Sequence, residues 1–320
     1  MSDELKSTPD SLKHPAKAAQ PIVVNGVTID DTFAEAFGMS ATGLVITADT
    51  PKWAMQAAVT MTGFGTSVIG CGAECGIDRV LDPKETPDGR PGVRVLIFGF
   101  SPDSIAPQLK NRVGQCVLTS PGSACYDGLT EGKRIPLAAG PRFFGDGWQI
   151  SKRLGKRRFW RVPVMDGEFV IEDSCGLTTD AVGGGNLLIL GKDRTGLLET
   201  TEAAVEAIAR VPDVITPFPG GIVRSGSKVG SKYKGAVAST NDAFCPTLKG
   251  AVKTELDADT IAVLEIVIDG LTSKSVADAM RAGLAAVTAI GAKKGVTRVS
   301  AGNYGGKLGQ HHYHLKDLIA

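Results

Sequence analysis

Apolar positions along this chain alternate between strand-like runs and helical spacing, and they do so twice in the same order. In the first half, GLVITA (43–48) predicts a strand, and Pro51 to Thr62 a helix with Trp53, Ala57 and Met61 on one side. TSVIG (66–70) predicts a short strand and is followed by an irregular insert containing ETPDGRPG (85–92). The half closes with the strand VRVLIFGF (93–100), a helix from Pro102 to about Val113, and the strand CVLT (116–119). In the second half, NLLIL (186–190) is a strand, and Gly196 to Val211 a helix with Leu198, Val205, Ile208 and Ala209 at core spacing. The strand VITPF (214–218) and a glycine- and serine-rich insert to about Asp259 come next. IAVLEIVI (261–268), a helix from Ser273 to Ile290 and the strand TRVS (297–300) complete it.

Each half therefore spells βαββαβ, the order in which two helices cover one face of a four-stranded antiparallel sheet. The lead-ins also echo each other, VTIDDTF (27–33) against FVIEDSC (169–175). The predicted fold class is α/β (α+β): two related ferredoxin-like βαββαβ lobes from an internal duplication, with irregular inserts. The predicted division is a mobile N-terminal arm over 1–21, a first lobe over 22–160 and a second over 161–320. Two open sheet faces need covering, by each other or by partner chains, so oligomerisation is expected.

One residue breaks the pattern. IAVLEIVI reads as a strand buried on both faces, yet it carries Glu265 at its centre. Burying a carboxylate costs on the order of several kcal/mol unless it is paired, hydrogen-bonded or neutralised. Alternation puts Leu264, Ile266 and Ile268 beneath the helices and turns Glu265, with Val263 and Val267, to the open face of a central strand. Aligning Leu96 with Leu264 sets Ile97 opposite Glu265 in the other half. Glu265 is either a functional acid or a buried glutamate satisfied by a lysine or backbone amides.

Composition narrows the function classes. With 320 residues, 42% hydrophobic and 22% charged, the chain can bury a large core. A formal charge of +1 gives no reason to expect nucleic acid or an anionic membrane as partner. The first 21 residues lack the apolar core of a signal peptide, and no apolar run is long enough to span a bilayer, so a soluble, cytoplasmic protein is expected. The six cysteines are scattered and read as reduced thiols. CGAEC (71–75) and the cluster of His311, His312 and His314 leave a zinc hydrolase as a third reading, but neither has ligand spacing that favours zinc, and no metal is expected.

Glycine-rich stretches do not fit nucleotide templates: GFG (63–65) lacks the dinucleotide spacing and context, and GIVRSGSK (221–228) lacks the P-loop Lys-Ser order. The long insert from Phe218 to Leu248 is either a solvated crossover or a binding loop near the open sheet face. From polarity and loop placement, the substrate-binding candidates are Lys228, Ser231, Asn241, Asp242, Asn303 and Lys307.

Several long segments carry a resemblance: NGVTIDDTFAEAFGM, TGFGTSVIGCGAECGID, ETPDGRPGV, FFGDGWQ, FPGGIVRSGSKVGSK, ASTNDAFCPT and SAGNYGGKLGQ. From about Asn25 to Gln310 the sequence resembles the formylmethanofuran:tetrahydromethanopterin N-formyltransferases, and in particular their methylotrophic bacterial form. The resemblance implies formyl transfer between N-formylmethanofuran, or a related furan cofactor, and N5 of tetrahydromethanopterin, in the oxidation of formaldehyde to formate. It implies two α/β lobes, a homodimer or homotetramer, and membership of a formyltransferase/hydrolase complex. No tightly bound cofactor is implied, since the pterin and the furan cofactor are substrates. The family's proposed catalytic glutamate falls on Glu265. The competing reading is a non-catalytic scaffold subunit that docks a hydrolase partner.

A glutamate desolvated on a strand stays protonated to higher pH than a free one. It can then hydrogen-bond the formyl oxygen or donate a proton to the departing nitrogen, while the N5 amine attacks directly in a ternary complex.

Overall fold

The computed structural model describes residues 21–319; apart from Pro21, the arm expected over 1–21 lies outside the described residues. The first half is built from β1 (Phe33–Thr47), α1 (Pro51–Thr62), β2 (Glu74–Leu81), β3 (Gly92–Gly99), α2 (Pro102–Arg112) and β4 (Ala124–Asp127). The second half has β5 (Ser174–Gly191), α3 (Arg194–Ile208), β6 (Val214–Ile215), β7 (Ala262–Gly270), α4 (Ser273–Ile290) and β8 (Val296–Ser300). Both sets pair antiparallel in one order, β4–β1–β3–β2 and β8–β5–β7–β6. β1 and β5 also pair with each other from Phe37 to Ala41, so both sets belong to one 15-stranded sheet and the fold is mixed α/β.

Helix starts follow from local chemistry. The Thr50 side chain accepts the Trp53 N–H ahead of α1, with Pro51 in the first turn, where a missing N–H costs nothing. Thr272 and Ser275 cap α4 reciprocally, and Val276, Met280, Leu284 and Val287 form its buried stripe. One core lies beneath α1 and α2, around Leu44, Val95 and Ile105; another lies beneath α3 and α4, around Leu187, Ile266 and Met280. A third cluster mixes Met39, Leu96 and Phe98 with Ala181, Ile215 and Leu271, and so joins the two halves. The lead-in strands cross over: Val27–Ile29 lies parallel to β8, whereas Gly167–Glu172 lies parallel to β4.

Four local expectations are corrected. TSVIG is a helical turn, Val68–Cys71, closed by Gly72 at φ 76°, and the strand starts only at Glu74. CVLT straddles the end of a π-helical turn, Val113–Val117, that prolongs α2 and buries Val113 and Val117; the strand follows at Ala124. Of VITPF, only Val214 and Ile215 pair. α3 buries Leu197, Thr201, Ala204 and Ile208, while Leu198 is 44% exposed and Ala209 is exposed, so its apolar face is set one residue earlier than expected.

The alignment of the halves is also corrected. In the first half Leu44 pairs Val95 and Val45 pairs Arg94; in the second Leu187 pairs Ile266 and Leu188 pairs Glu265. Leu44 and Leu187 each stand six residues before a helix cap, Thr50 and Asp193, so Arg94 occupies the place of Glu265. Ile97, the expected counterpart, belongs to the core beneath α1 and α2.

Candidate active site

β7 turns Ile266 and Ile268 to the helices and Glu265 to the other face, as alternation requires. β5 flanks it on one side. On the other, β6 reaches only Asp269 and Gly270, and beside Glu265 the long insert takes the neighbouring place. The Val223 N–H donates to the Glu265 carbonyl at 2.7 Å and the Glu265 N–H to the Val223 carbonyl at 2.9 Å. The insert is thereby fastened to the backbone of the residue whose side chain it covers.

Three cavities meet at the Glu265 side chain, of about 640, 430 and 250 Å³. The largest is polar, lined by Asp30, Lys228, Asn241, Arg298 and Asn303 among others. The second is walled by Phe37, Met39, Ile69, Phe100 and Phe218. Among the described residues, neither a lysine nor a backbone amide hydrogen-bonds the Glu265 carboxyl, and burial pushes its pKa up to about 7.

A second glutamate has the opposite environment. Glu35, on β1, is 1% exposed, and its Oε2 accepts the N–H groups of Tyr304 (2.6 Å) and Gly306 (2.8 Å). Its Oε1 accepts those of Leu308 and Gly309, each at 2.7 Å. Burial alone raises its pKa, but the four N–H donors outweigh burial and hold it at about 2. The loop can point these amides inward because Gly305 and Gly306 adopt φ of 78° and 71°. Asn186 fixes the start of the same loop: its Oδ1 accepts the Gly302 N–H at 2.6 Å and its Nδ2 donates to the Gly302 carbonyl at 3.2 Å. Tyr304 lines both large cavities, and burial, then Glu265 and Glu35, raise its phenol pKa.

The residues expected from sequence divide. Glu265, Lys228, Asn241 and Asn303 line the polar cavity together. Asn303 also ties its loop to β1 through Nδ2, which donates to the Phe33 carbonyl at 3.3 Å. Asp242 stands one step back, accepting from the Lys228 ammonium at 2.5 Å, a bond that lowers its carboxyl pKa. Ser231 and Lys307 line none of the three cavities, and the Ser231 hydroxyl accepts the Tyr233 N–H within its own turn. Sequence reasoning missed Glu35, Asn186 and Tyr304. The signal for Glu35 was present as a lone acid in the apolar stretch FAEAF (33–37), the same anomaly that marked Glu265.

The chemistry available here is that of one protonatable acid facing two spaces of different polarity, with a fixed anion nearby that titrates far lower. Comparison with known proteins gives the family. The family description "Formylmethanofuran-tetrahydromethanopterin formyltransferase" matches residues 22–164, and "FTR, proximal lobe" matches residues 167–318. A Methylorubrum extorquens chain, named as a subunit of a formyltransferase/hydrolase complex, is 59% identical over 301 residues, covering 92% of this chain and 97% of that one. The formylmethanofuran--tetrahydromethanopterin formyltransferase of Methylococcus capsulatus is 58% identical over 299 residues, covering 93% of this chain and 100% of its own length. The crystal structure of the formyltransferase/hydrolase complex from Methylorubrum extorquens with methylofuran contains a chain of 58% identity that superimposes with a TM-score of 0.92, over 94% of this chain and 99% of that one. With both halves matched and relatives aligned over nearly their full length, this chain belongs to the formylmethanofuran-tetrahydromethanopterin formyltransferase family.

Proposed function

We propose that this chain transfers a formyl group between an N-formylated furan cofactor of the methanofuran type and N5 of tetrahydromethanopterin, with Glu265 as the acid. The observation that carries the reading is a half-buried carboxyl, without a hydrogen-bond partner among the described residues, where a polar and an apolar cavity meet. A purely scaffolding subunit offers no reason for such a group. Both cofactors act as substrates that enter and leave, in a cytoplasmic one-carbon pathway from formaldehyde to formate.

In the transfer, the N5 lone pair attacks the formyl carbon and the carbonyl π electrons move to oxygen. The protonated Glu265 hydrogen-bonds that oxygen and then gives its proton to the furan-side nitrogen as the C–N bond breaks. The proton lost from N5 returns the carboxylate to its acid form. Lys228, Asn241 and Asn303 orient the furan substrate in the polar cavity, with Asp242 holding Lys228; Ser231 and Lys307 stay candidates only for contacts at the cavity mouth.

Two lobes, 22–160 and 161–320, descended from one ferredoxin-like unit, account for the shared element order, the shared strand order and the reciprocal lead-in strands. The named relative in a hydrolase complex supports a place for this chain in such an assembly, as a homodimer or homotetramer within it.

The isolated chain is assayed with formylated furan cofactor and tetrahydromethanopterin, alongside Glu265→Gln. The variant keeps shape and a donor but not a transferable proton, and its kcat is expected to fall by about 10²- to 10⁴-fold. Near wild-type transfer by the variant at every pH would remove Glu265 as the acid, and no transfer by the intact wild-type chain would favour the scaffold.

A further inference from the structure

From Asn241 to Thr260 the long insert forms only two single helical turns, Asp242–Phe244 and Pro246–Leu248, and one isolated bridge between Lys249 and Val252. It nevertheless supplies a wall of the site, since Asn241, Phe244 and Glu255 line the polar cavity. A segment with so few backbone hydrogen bonds of its own keeps one conformation only if side chains hold it.

Lys249 is such a hold. Its side chain lines none of the three cavities. Its ammonium donates to the carbonyls of Asp257 at 2.7 Å, Ala258 at 3.0 Å and Thr260 at 2.6 Å. An ammonium has three N–H donors, so each finds an acceptor here. Carbonyl oxygens turned towards one point repel one another, and a cation among them reverses the repulsion.

The contact joins the two ends of the loop 249–260. Lys249 directly follows the turn Pro246–Leu248, and beyond Thr260 the Ile261 N–H donates to the Gly191 carbonyl at 2.9 Å, where β7 begins. Closed in this way, the loop lays Leu256 on Leu188 and Leu190. It also grips the wall itself: the Ala243 carbonyl accepts the Glu255 N–H at 3.0 Å and the Thr254 hydroxyl at 3.2 Å. Arg298 holds the same loop from the cavity side, donating to the Glu255 carbonyl at 2.8 Å, but it is itself a cavity group. Lys249 acts from outside, so it can be changed without removing anything that lines the site.

Resting on the transferase reading above, we propose that Lys249 is a positioning residue for formyl transfer. By closing the loop 249–260 at its base, it fixes the cavity wall at Asn241 and Phe244 without touching a substrate.

The test starts with Lys249→Met, which keeps the stem and removes the donors. Its KM for the furan substrate is expected to rise about tenfold, with kcat and the pterin KM within about twofold, because Glu265 is held separately by β5 and Val223. Lys249→Ala should show the same split and recover in propylammonium chloride, which supplies the missing stem and ammonium. Tetramethylammonium chloride at equal concentration should not restore it, since that ion has the charge and no N–H. If a variant does not fold at the assay temperature, the melting midpoint of Lys249→Ala in the two salts is expected to show the same preference. Amide hydrogen exchange across 241–248 needs no turnover, and should quicken about tenfold in Lys249→Met with β7 unchanged. Wild-type KM values in a folded variant, a loss carried by kcat alone, or an equal response to the two salts overturns the assignment. A wild-type chain that transfers no formyl group overturns the transferase reading instead, and hydrogen exchange then decides on Lys249 by itself.

Discussion

Glu265 and Glu35 are both glutamates on apolar strands, and their surroundings shift their pKa values in opposite directions. Among the described residues no donor favours the Glu265 anion, so desolvation decides and lifts its pKa to about 7. Glu35 has four, and is held near 2. The pH consequences follow by sign. The folded state binds the Glu265 proton more tightly than the unfolded chain, so this group costs stability progressively as pH rises from its ordinary 4.5 through about 7. Glu265→Gln is therefore expected to raise stability above pH 7 by up to about 3 kcal/mol, and the unfolding midpoint with it, while kcat falls about 10²- to 10⁴-fold. A thermal melt at pH 5 and pH 8 checks it: no gain at the higher pH would mean that the carboxylate is satisfied when charged. Wild-type kcat should also fall as pH climbs through about 7, because the acid form is the donor. For Glu35 the sign reverses. Its contribution is present in full above about 4.5 and is lost as pH falls towards 2. Glu35→Gln sets an amide NH₂ against two of the four N–H donors and is expected to cost about 3 kcal/mol, with loss of binding through the freed 302–309 loop; urea midpoints beside KM values test both.

At the scale of elements, what the sequence made legible is what local chemistry determines. Pro51 with Thr50 and the Thr272–Ser275 box set helix starts, and α1 and α4 occupy the predicted residues. Non-local outcomes were not legible. TSVIG has strand-forming residues, but Gly72 in the left-handed region ends a helical turn there and delays the strand to Glu74. Leu197 and Leu198 are adjacent and equally apolar, so only packing against β5 and β7 chose the first. The frame between the halves was missed because several apolar residues in VRVLIFGF can be set against IAVLEIVI; pairing with β1 and β5 selects one. In the site, polarity located the loops but not which side chains turn inward, hence Ser231 and Lys307 outside the cavities. Gly309 shows how narrow the loop's fit is. A Cβ there would lie 2.4 Å from the Ala36 carbonyl oxygen and 2.8 Å from Glu35 Cγ. Gly309→Ala is expected to cost about 1–3 kcal/mol and to raise substrate KM, since the strand cannot recede from its sheet. Unchanged melting would show that the loop shifts freely.

Across the whole molecule, the two positions related by the inferred duplication have taken different work. Where the second half places Glu265, the first has Arg94, whose Nη1 lies 2.8 Å from Asp78 and 2.5 Å from Asp213. Asp78 is on β2 and Asp213 precedes β6, so this cation ties the halves together beside the mixed apolar cluster. Asp78 also accepts the Asp213 N–H at 2.8 Å, which adds a second link across the same seam. The apolar cavity lies between the halves, with Glu74 from one and Glu265 from the other, so its shape depends on this seam. The Asp78 carboxylate is fully buried and the Arg94 side chain 12% exposed, so removing the guanidinium leaves a buried anion with only the more distant Arg79, at 3.7 Å, as its cation. Arg94→Ala is expected to destabilise by about 3 kcal/mol. Asp213, 44% exposed, is a weaker partner, and Asp213→Ala should cost about 1 kcal/mol or less. The double variant should cost less than the sum, because both act through one contact. Equilibrium urea unfolding of the four proteins measures this: strict additivity would mean that Arg94 steadies only its own half, and that the cavity is held by the apolar cluster alone.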